Sequence, residues 1–208
     1  IDKIKDIEIL LKKKISNVSQ VYWICPLVEA SETQKYKDVE TRFKSLKNIF
    51  GSEVEMLHGK IKSDQKERII QNFQKGNIKI LVATTVVEVG IDNKNADYIV
   101  IENAEKFGLS QLHQLRGRVG RGNNQGYCFA LYGKDFPDNT INRLKIFKEN
   151  LDGFKLSEKD LEIRGTGDIL GYRQSGDSLF KFVNVYHDQE LIIDALQYVK
   201  KLIEKKDY

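Results

Sequence analysis

Five short, almost wholly apolar runs recur along the chain, separated by segments with helical spacing, and this alternation leaves few folds open. The runs are Val21-Tyr-Trp-Ile-Cys-Pro26, Val54-Glu-Met-Leu-His58, Ile78-Lys-Ile-Leu-Val-Ala-Thr84, Tyr98-Ile-Val-Ile-Glu102 and Tyr127-Cys-Phe-Ala-Leu-Tyr132. A strand with one wet face alternates apolar and polar residues; a nearly continuous apolar strand needs cover on both sides. Strands of that kind, alternating with helices, predict a parallel sheet wrapped by helices on both faces.

The intervening segments fit. Residues 2–16 place Ile4, Ile7, Leu10, Leu11 and Ile15 at helical spacing. Residues 33–50 do the same with Val39, Phe43, Leu46 and Phe50, and Gly51 is the stop. Ser63 is the expected N-cap of a helix to Lys75, with Gly76 at its end. A turn and short helix are expected near 86–89, and a longer helix over 109–121. The core domain therefore spans 1–133. Beyond it the pattern becomes mainly helical: 138–150, then 157–163 across an Asp152-Gly153 joint, a glycine-rich stretch from Arg164 to Gly176, and a last helix over 188–205. Residues 134–208 read as an extension packed on the domain.

Composition excludes little. With 34 basic against 30 acidic residues, net charge alone does not announce a nucleic acid, so local clustering must. Cys25 and Cys128 lie in apolar runs without a CxxC or histidine companion, which predicts buried free thiols, no metal site and a reducing cytosol. No apolar run approaches the roughly 18 residues of a membrane span. The chain begins with Ile1 and its one methionine is Met56, so it is expected to be a piece of a longer polypeptide.

The clustering sits in Gln114-Leu-Arg-Gly-Arg-Val-Gly-Arg121, which has three arginines and two glycines in eight residues. On a helix, Gln114, Gly117, Arg118 and Arg121 would share a face. Planar guanidinium forks suit phosphate oxygens, and glycine admits another backbone or a nucleotide. Glycine costs a helix about 1 kcal/mol relative to alanine, so a merely solvated face has no use for it. Arg116 points off the shared face.

Ligands of open parallel sheets collect outside the carboxyl ends of the strands. Thr84-Thr85 closes the third run and reads either as a phosphate contact or as a helix cap. Glu88-Val-Gly-Ile-Asp92 follows, with two carboxylates able to meet ribose hydroxyls or orient arginines; a turn aspartate is the plainer alternative. This loop and the arginine segment are expected to meet at adjacent strand ends. After the second run, Lys60 of His58-Gly59-Lys60 fits a surface lysine better than a phosphate ligand, and His113 fits packing or capping.

These residues carry a family likeness. Ile80-Leu-Val-Ala-Thr-Thr-Val-Val-Glu-Val-Gly-Ile-Asp92 resembles motif V of superfamily 2 helicases, Gln114–Arg121 resembles their motif VI, and Val21–Ser31 resembles the motif IV region. The likeness over about the first 132 residues implies a second RecA-like lobe of an ATP-driven nucleic-acid motor. Arg143, Arg164-Gly165 and Gln174, around GTGDILGYRQ, look like the translocation motif shared by RecG and the transcription-repair coupling factor. Glu88-Val89-Gly90 and His113 favour the RecG type. Thr166 departs from the proline common there, which should loosen the loop while leaving the arginine and glutamine in place.

The resemblance implies roles. Arg118 and Arg121 would be arginine fingers on the ATP γ-phosphate, and Gln114 would position nucleotide or water. Gly90 and Asp92, with Glu88, would sit near the ribose, Thr84 and Thr85 would hold DNA phosphates, and Arg143, Arg164 and Gln174 would drive duplex translocation. The parent would be a bacterial, cytoplasmic, nucleoid-associated helicase acting on stalled forks and Holliday junctions in recombination and repair. Its first lobe would hold ATP and Mg²⁺, and a wedge domain would split branched DNA. The corresponding region of a coupling factor and a non-enzymatic DNA-binding module are the alternatives; a dinucleotide-binding domain lacks the required G-x-G-x-x-G. No G-x-x-x-x-G-K-[ST] loop or Asp-Glu box occurs in these 208 residues. The chain by itself is therefore expected neither to hydrolyse ATP nor to unwind DNA, and robust turnover by the purified chain would contradict this.

Overall fold

All five apolar runs are strands of one sheet: β1 (Gln20–Ile24), β2 (Val54–Leu57), β3 (Ile80–Ala83), β4 (Ala96–Ile101) and β5 (Tyr127–Ala130). Their order is β2-β3-β1-β4-β5, and every neighbouring pair is parallel. The structure is a computed structural model and describes residues 2–15, 19–27, 36–84, 93–122, 124–133, 136, 138–164 and 189–204. Its helices are α1 (Asp2–Lys14), α2 (Lys37–Phe50), α3 (Ser63–Gln74), α4 (Leu109–Arg116), α5 (Asp138–Glu149), α6 (Gly153–Arg164) and α7 (Gln189–Glu204).

The period of two in each strand divides the core into layers. Val21, Trp23, Ile80, Val82, Tyr98 and Val100 pack with Ile7 and Leu11 of α1 and Val39 and Leu46 of α2. The residues between them, Tyr22, Ile24, Leu81, Ala83, Ile99 and Ile101, face Phe73 of α3, the leucines of α4, and Leu144 and Phe147 of α5. Leu156 of α6 joins the same cluster. The three central strands are buried along their whole length, as both-sided cover requires. The connection from β1 to β2 runs toward one edge and carries its helix on one face. Those from β2 to β3 and β4 to β5 run the other way, with helices on the opposite face, as right-handed crossovers demand.

A polar knot fastens the amino ends of the strands. The amide of buried Gln20 donates to the carbonyls of Phe73 and Ile78, and its oxygen accepts from Asn93 Nδ2 at 3.0 Å. The end of α3, the start of β1 and the approach to β4 are thus tied through one side chain.

Three boundaries depart from expectation. Ser63 is the first residue of α3, not its cap: Lys66 N donates to Lys62 O at 2.9 Å, so Lys62 holds the cap position, without a side-chain cap. The predicted 109–121 helix stops at Arg116, and α6 begins at Gly153 instead of 157. Asp152 Oδ1 explains the second shift, since it accepts from Phe154 N at 2.8 Å and starts the helix early. Gly76 does follow the end of α3, at φ 82. The expected turn near 86–89 and residues 33–35 lie outside the described residues.

The chain divides into two compact units, 1–157 and 158–208. The second contains the rest of α6 and α7, whose Leu191, Ile193, Tyr198 and Val199 are exposed. Among the described residues, no helix is long and apolar enough to cross a membrane. Leu112 is fully buried where α4 meets the sheet. Leu112→Ala should lower unfolding stability by about 2–5 kcal/mol in urea denaturation, while exposed Lys44→Ala should stay within about 0.5 kcal/mol.

Candidate functional site

The arginine segment is shaped by its glycines more than by helix. Leu109, Leu112 and Leu115 anchor α4 on the sheet, and Gln111 accepts from Gly108 N at its start. After Arg116 the chain tightens: Arg118 N donates to Leu115 O at 3.0 Å and Val119 N to Arg116 O at 3.4 Å. Gly120 then takes φ 71, in the region that disfavours side chains. A Cβ there would lie 2.9 Å from Gly126 N, and one on Gly122 would lie 2.5 Å from Lys94 O. These glycines let the chain cross its own backbone. The shared helical face expected for Gln114, Gly117, Arg118 and Arg121 therefore does not form. Gln114 is exposed on α4, whereas Arg118 and Arg121 ride on the turn that follows it.

That turn lies at the amino end of the sheet, a correction to the expected carboxyl rim. Helix α4 runs back along the strands, and Gly120 N donates to Ala96 O, at the first residue of β4. Thr84 lies at the other end. It follows β3, whose Ala83 is level with Ile24, while Ala96 is level with Gln20. About four residues of strand, roughly 13 Å, separate the two levels. Thr84 and the arginine turn thus do not share a rim. Asn93–Ala96, which follow Asp92 in the chain, do stand beside the turn. Thr85, Glu88, Gly90 and Asp92 are outside the described residues.

The arginines differ in their partners. Arg121 is exposed and its Nε donates to Gly117 O at 2.7 Å; Arg118 is half-buried. Arg116 donates from Nη1 to Phe147 O at 2.9 Å and from Nη2 to Leu151 O at 3.3 Å, and lies 3.0 Å from His113 Nδ1. Its guanidinium stacks 4.6 Å from the Phe147 ring centroid, and burial draws its pKa below the ordinary arginine value. Arg143 Nη2 donates to Glu105 O at 2.6 Å, and its buried Nε has no partner among the described residues. Arg164 ends α6, with its side chain outside the described residues, as is Gln174.

At the carboxyl end, Thr84 N donates to Leu57 O at 3.3 Å. The Thr84 hydroxyl is closed to solvent and has no hydrogen-bond partner among the described residues. His58 packs against Tyr36 and accepts from Lys60 N, and burial holds its pKa below the usual histidine range. Burial pushes the Cys128 thiol up to about 11 and that of Cys25 well above normal, so both stay protonated and unreactive near neutrality. Among the described residues no group of three His, Cys, Asp or Glu side chains converges on a metal position.

Sequence reasoning missed the clamp under the turn. Buried Asp97 accepts from Ser19 Oγ at 2.7 Å and from Asn124 Nδ2 at 3.1 Å, fixing the loop between Arg121 and β5. An aspartate inside the apolar run Ala96-Asp-Tyr-Ile-Val-Ile101 was the signal available for it. Gly126, which faces Gly120 backbone to backbone, carried no signal beyond its type.

Comparison with known proteins bears on the family and the fold. The family model described as the helicase conserved C-terminal domain matches residues 2–123. The ATP-dependent DNA helicase RecG of Borreliella burgdorferi is 48% identical over 184 residues, which are 88% of this chain and 27% of that protein. RecG of Escherichia coli K12 is 40% identical over 192 residues, 92% of this chain and 28% of that protein. The chain thus spans little more than a quarter of the length of these curated relatives. A solved structure of RecG bound to a three-way DNA junction superposes with a TM-score of 0.70 at 37% identity, covering 92% of this chain and 24% of that one. The five-stranded parallel sheet with its helices is a RecA-like helicase lobe, and the chain belongs to the helicase conserved C-terminal domain family, with its likeness to the C-terminal lobe of RecG.

Proposed function

We propose that this chain is the second motor lobe of an ATP-dependent branched-DNA helicase of RecG type, working on stalled forks and Holliday junctions in recombination and repair. Residues 1–133 would form the lobe and 134–208 the translocation segment. The observation that carries this reading is the placement of Arg118 and Arg121. They sit on a backbone-pinned turn at one end of the sheet, beside the residues that follow Asp92, in a chain similar to RecG over about nine-tenths of its length. Such a turn offers rigid cations to a nucleotide held by another lobe. Charge developing in phosphoryl transfer is stabilised best by groups that need no rearrangement.

ATP would meet this surface through the two arginines, with Gln114 exposed on α4 four residues before Arg118. Mg²⁺ would be held by the phosphates and the first lobe, since the described residues bring no acidic cluster together. ATP supplies the transferable phosphoryl group, and this chain's part is to neutralise charge on it and to sense its loss. Thr84 and Thr85 at the opposite end are proposed for the DNA backbone, and Arg143, Arg164 and Gln174 for translocation. Because the Thr84 hydroxyl is buried, the DNA contact is assigned first to Thr85. Branched DNA, the first lobe and the wedge domain are the proposed partners. The RecG relatives do not favour a coupling factor, and a purely DNA-binding module leaves a pinned arginine turn without a task.

Arg118→Ala and Arg121→Ala in the full-length parent should each cut ATP turnover about a thousandfold or more, the scale of an arginine finger, with DNA affinity kept. Steady-state ATPase and DNA-binding titrations check this. Normal hydrolysis with lost DNA binding would point to the module instead.

A further inference from the structure

Arg116 precedes the two proposed fingers in the chain and does different work. The last turn of a helix leaves carbonyls without intrahelical partners, and a cation placed there is favoured by the helix dipole. At the end of α5, Phe147 O is one such carbonyl, and Leu151 O follows it in the joint to α6. Arg116 reaches across from α4 to take both, at 2.9 and 3.3 Å, while stacking on the Phe147 ring. No ion pair with a carboxylate is found for it among the described residues. Its planar fork is what allows one side chain to serve two carbonyls at once.

His113, one turn earlier on α4, completes the joint. With the Arg116 guanidinium as donor, His113 Nδ1 is the acceptor, so the ring proton belongs on Nε2. That nitrogen points at the start of α6, where a Cβ on Gly153 would lie only 2.7 Å away. Gly153 is therefore the residue that leaves space for the ring. The next residue after Arg116 is Gly117, where the turn carrying both fingers begins.

We propose that Arg116 is a positioning residue which caps α5 from outside and fastens the finger turn, α5 and the 150–153 joint into one body. The idea rests on the helicase reading for its consequence in catalysis, but its mechanical core concerns this chain alone. With Arg116 in place, a displacement of the finger turn is delivered to α5, the helix that carries Arg143. Without it the turn keeps its glycine crossings but loses its hold on the extension.

Amide hydrogen exchange on the 208-residue chain tests the mechanics. Arg116→Ala should speed exchange at 117–121 and in the last turn of α5 together, by about tenfold or more, with β1 and β3 unchanged. Arg116→Lys keeps charge but not the fork and should show a smaller loosening at the same two places. Gly153→Ala, which crowds His113 from the far side, should give the same paired pattern. Loosening of only one segment, or none, overturns the proposal. So does a uniform rise over the whole chain in all three variants, which would mean a merely structural role.

In the full-length parent, Arg116→Ala should lower kcat for ATP roughly ten- to a hundredfold with KM for ATP unchanged, the scale of a misplaced catalytic group. An Arg116→Lys enzyme with full activity would also overturn positioning by the fork. If the exchange pattern appears but Arg118→Ala hydrolyses ATP normally, the motor reading fails and the mechanical link stands.

Discussion

The burial of β1, β3 and β4 on both faces is the constraint from which the other features follow. A strand without a wet face cannot end in arbitrary loops, because every backbone group at its ends must find a partner. Gln20 takes the carbonyls of Phe73 and Ile78 at the amino ends, and at the carboxyl ends Glu102 holds the side chains of Trp23 and Arg42. Once both ends are fixed, α4 has one path from the carboxyl end of β4 back to the amino end of the sheet. The arginine turn is where that path reverses to enter β5.

The reversal explains why glycine and arginine are interleaved. The chain passes so near itself at Gly120, Gly122 and Gly126 that no side chain fits, while Arg121 among them is exposed. The rigidity useful for meeting a phosphate is therefore a by-product of how the chain turns. Three arginines within six residues divide the tasks: Arg118 and Arg121 lie on the turn, and Arg116 braces it from behind.

Strand number, parallel pairing and two-sided cover were legible in the sequence, since they follow from apolar run length and period. Helix existence was legible too, but helix ends were not: whether Arg118 continued α4 depended on Gly120 meeting Gly126, a contact between chain segments that no local pattern encodes. The same limit applied to the arginine turn. Its composition announced a phosphate ligand, yet its position at the amino end depended on the direction of α4 across the sheet. Asp97 shows a different gap: a single polar residue in an apolar run signals an unmet need but does not say which loop will fill it. The roles of Glu88, Gly90 and Asp92 rest on the sequence alone, since these residues lie outside those described.

Thr84 and the finger turn occupy opposite poles of the sheet, yet only eight residues of chain separate Thr84 from Asn93. On the proposed reading, nucleotide and DNA therefore meet this lobe at opposite ends of β3 and β4, and whatever passes between them has to cross the height of the sheet.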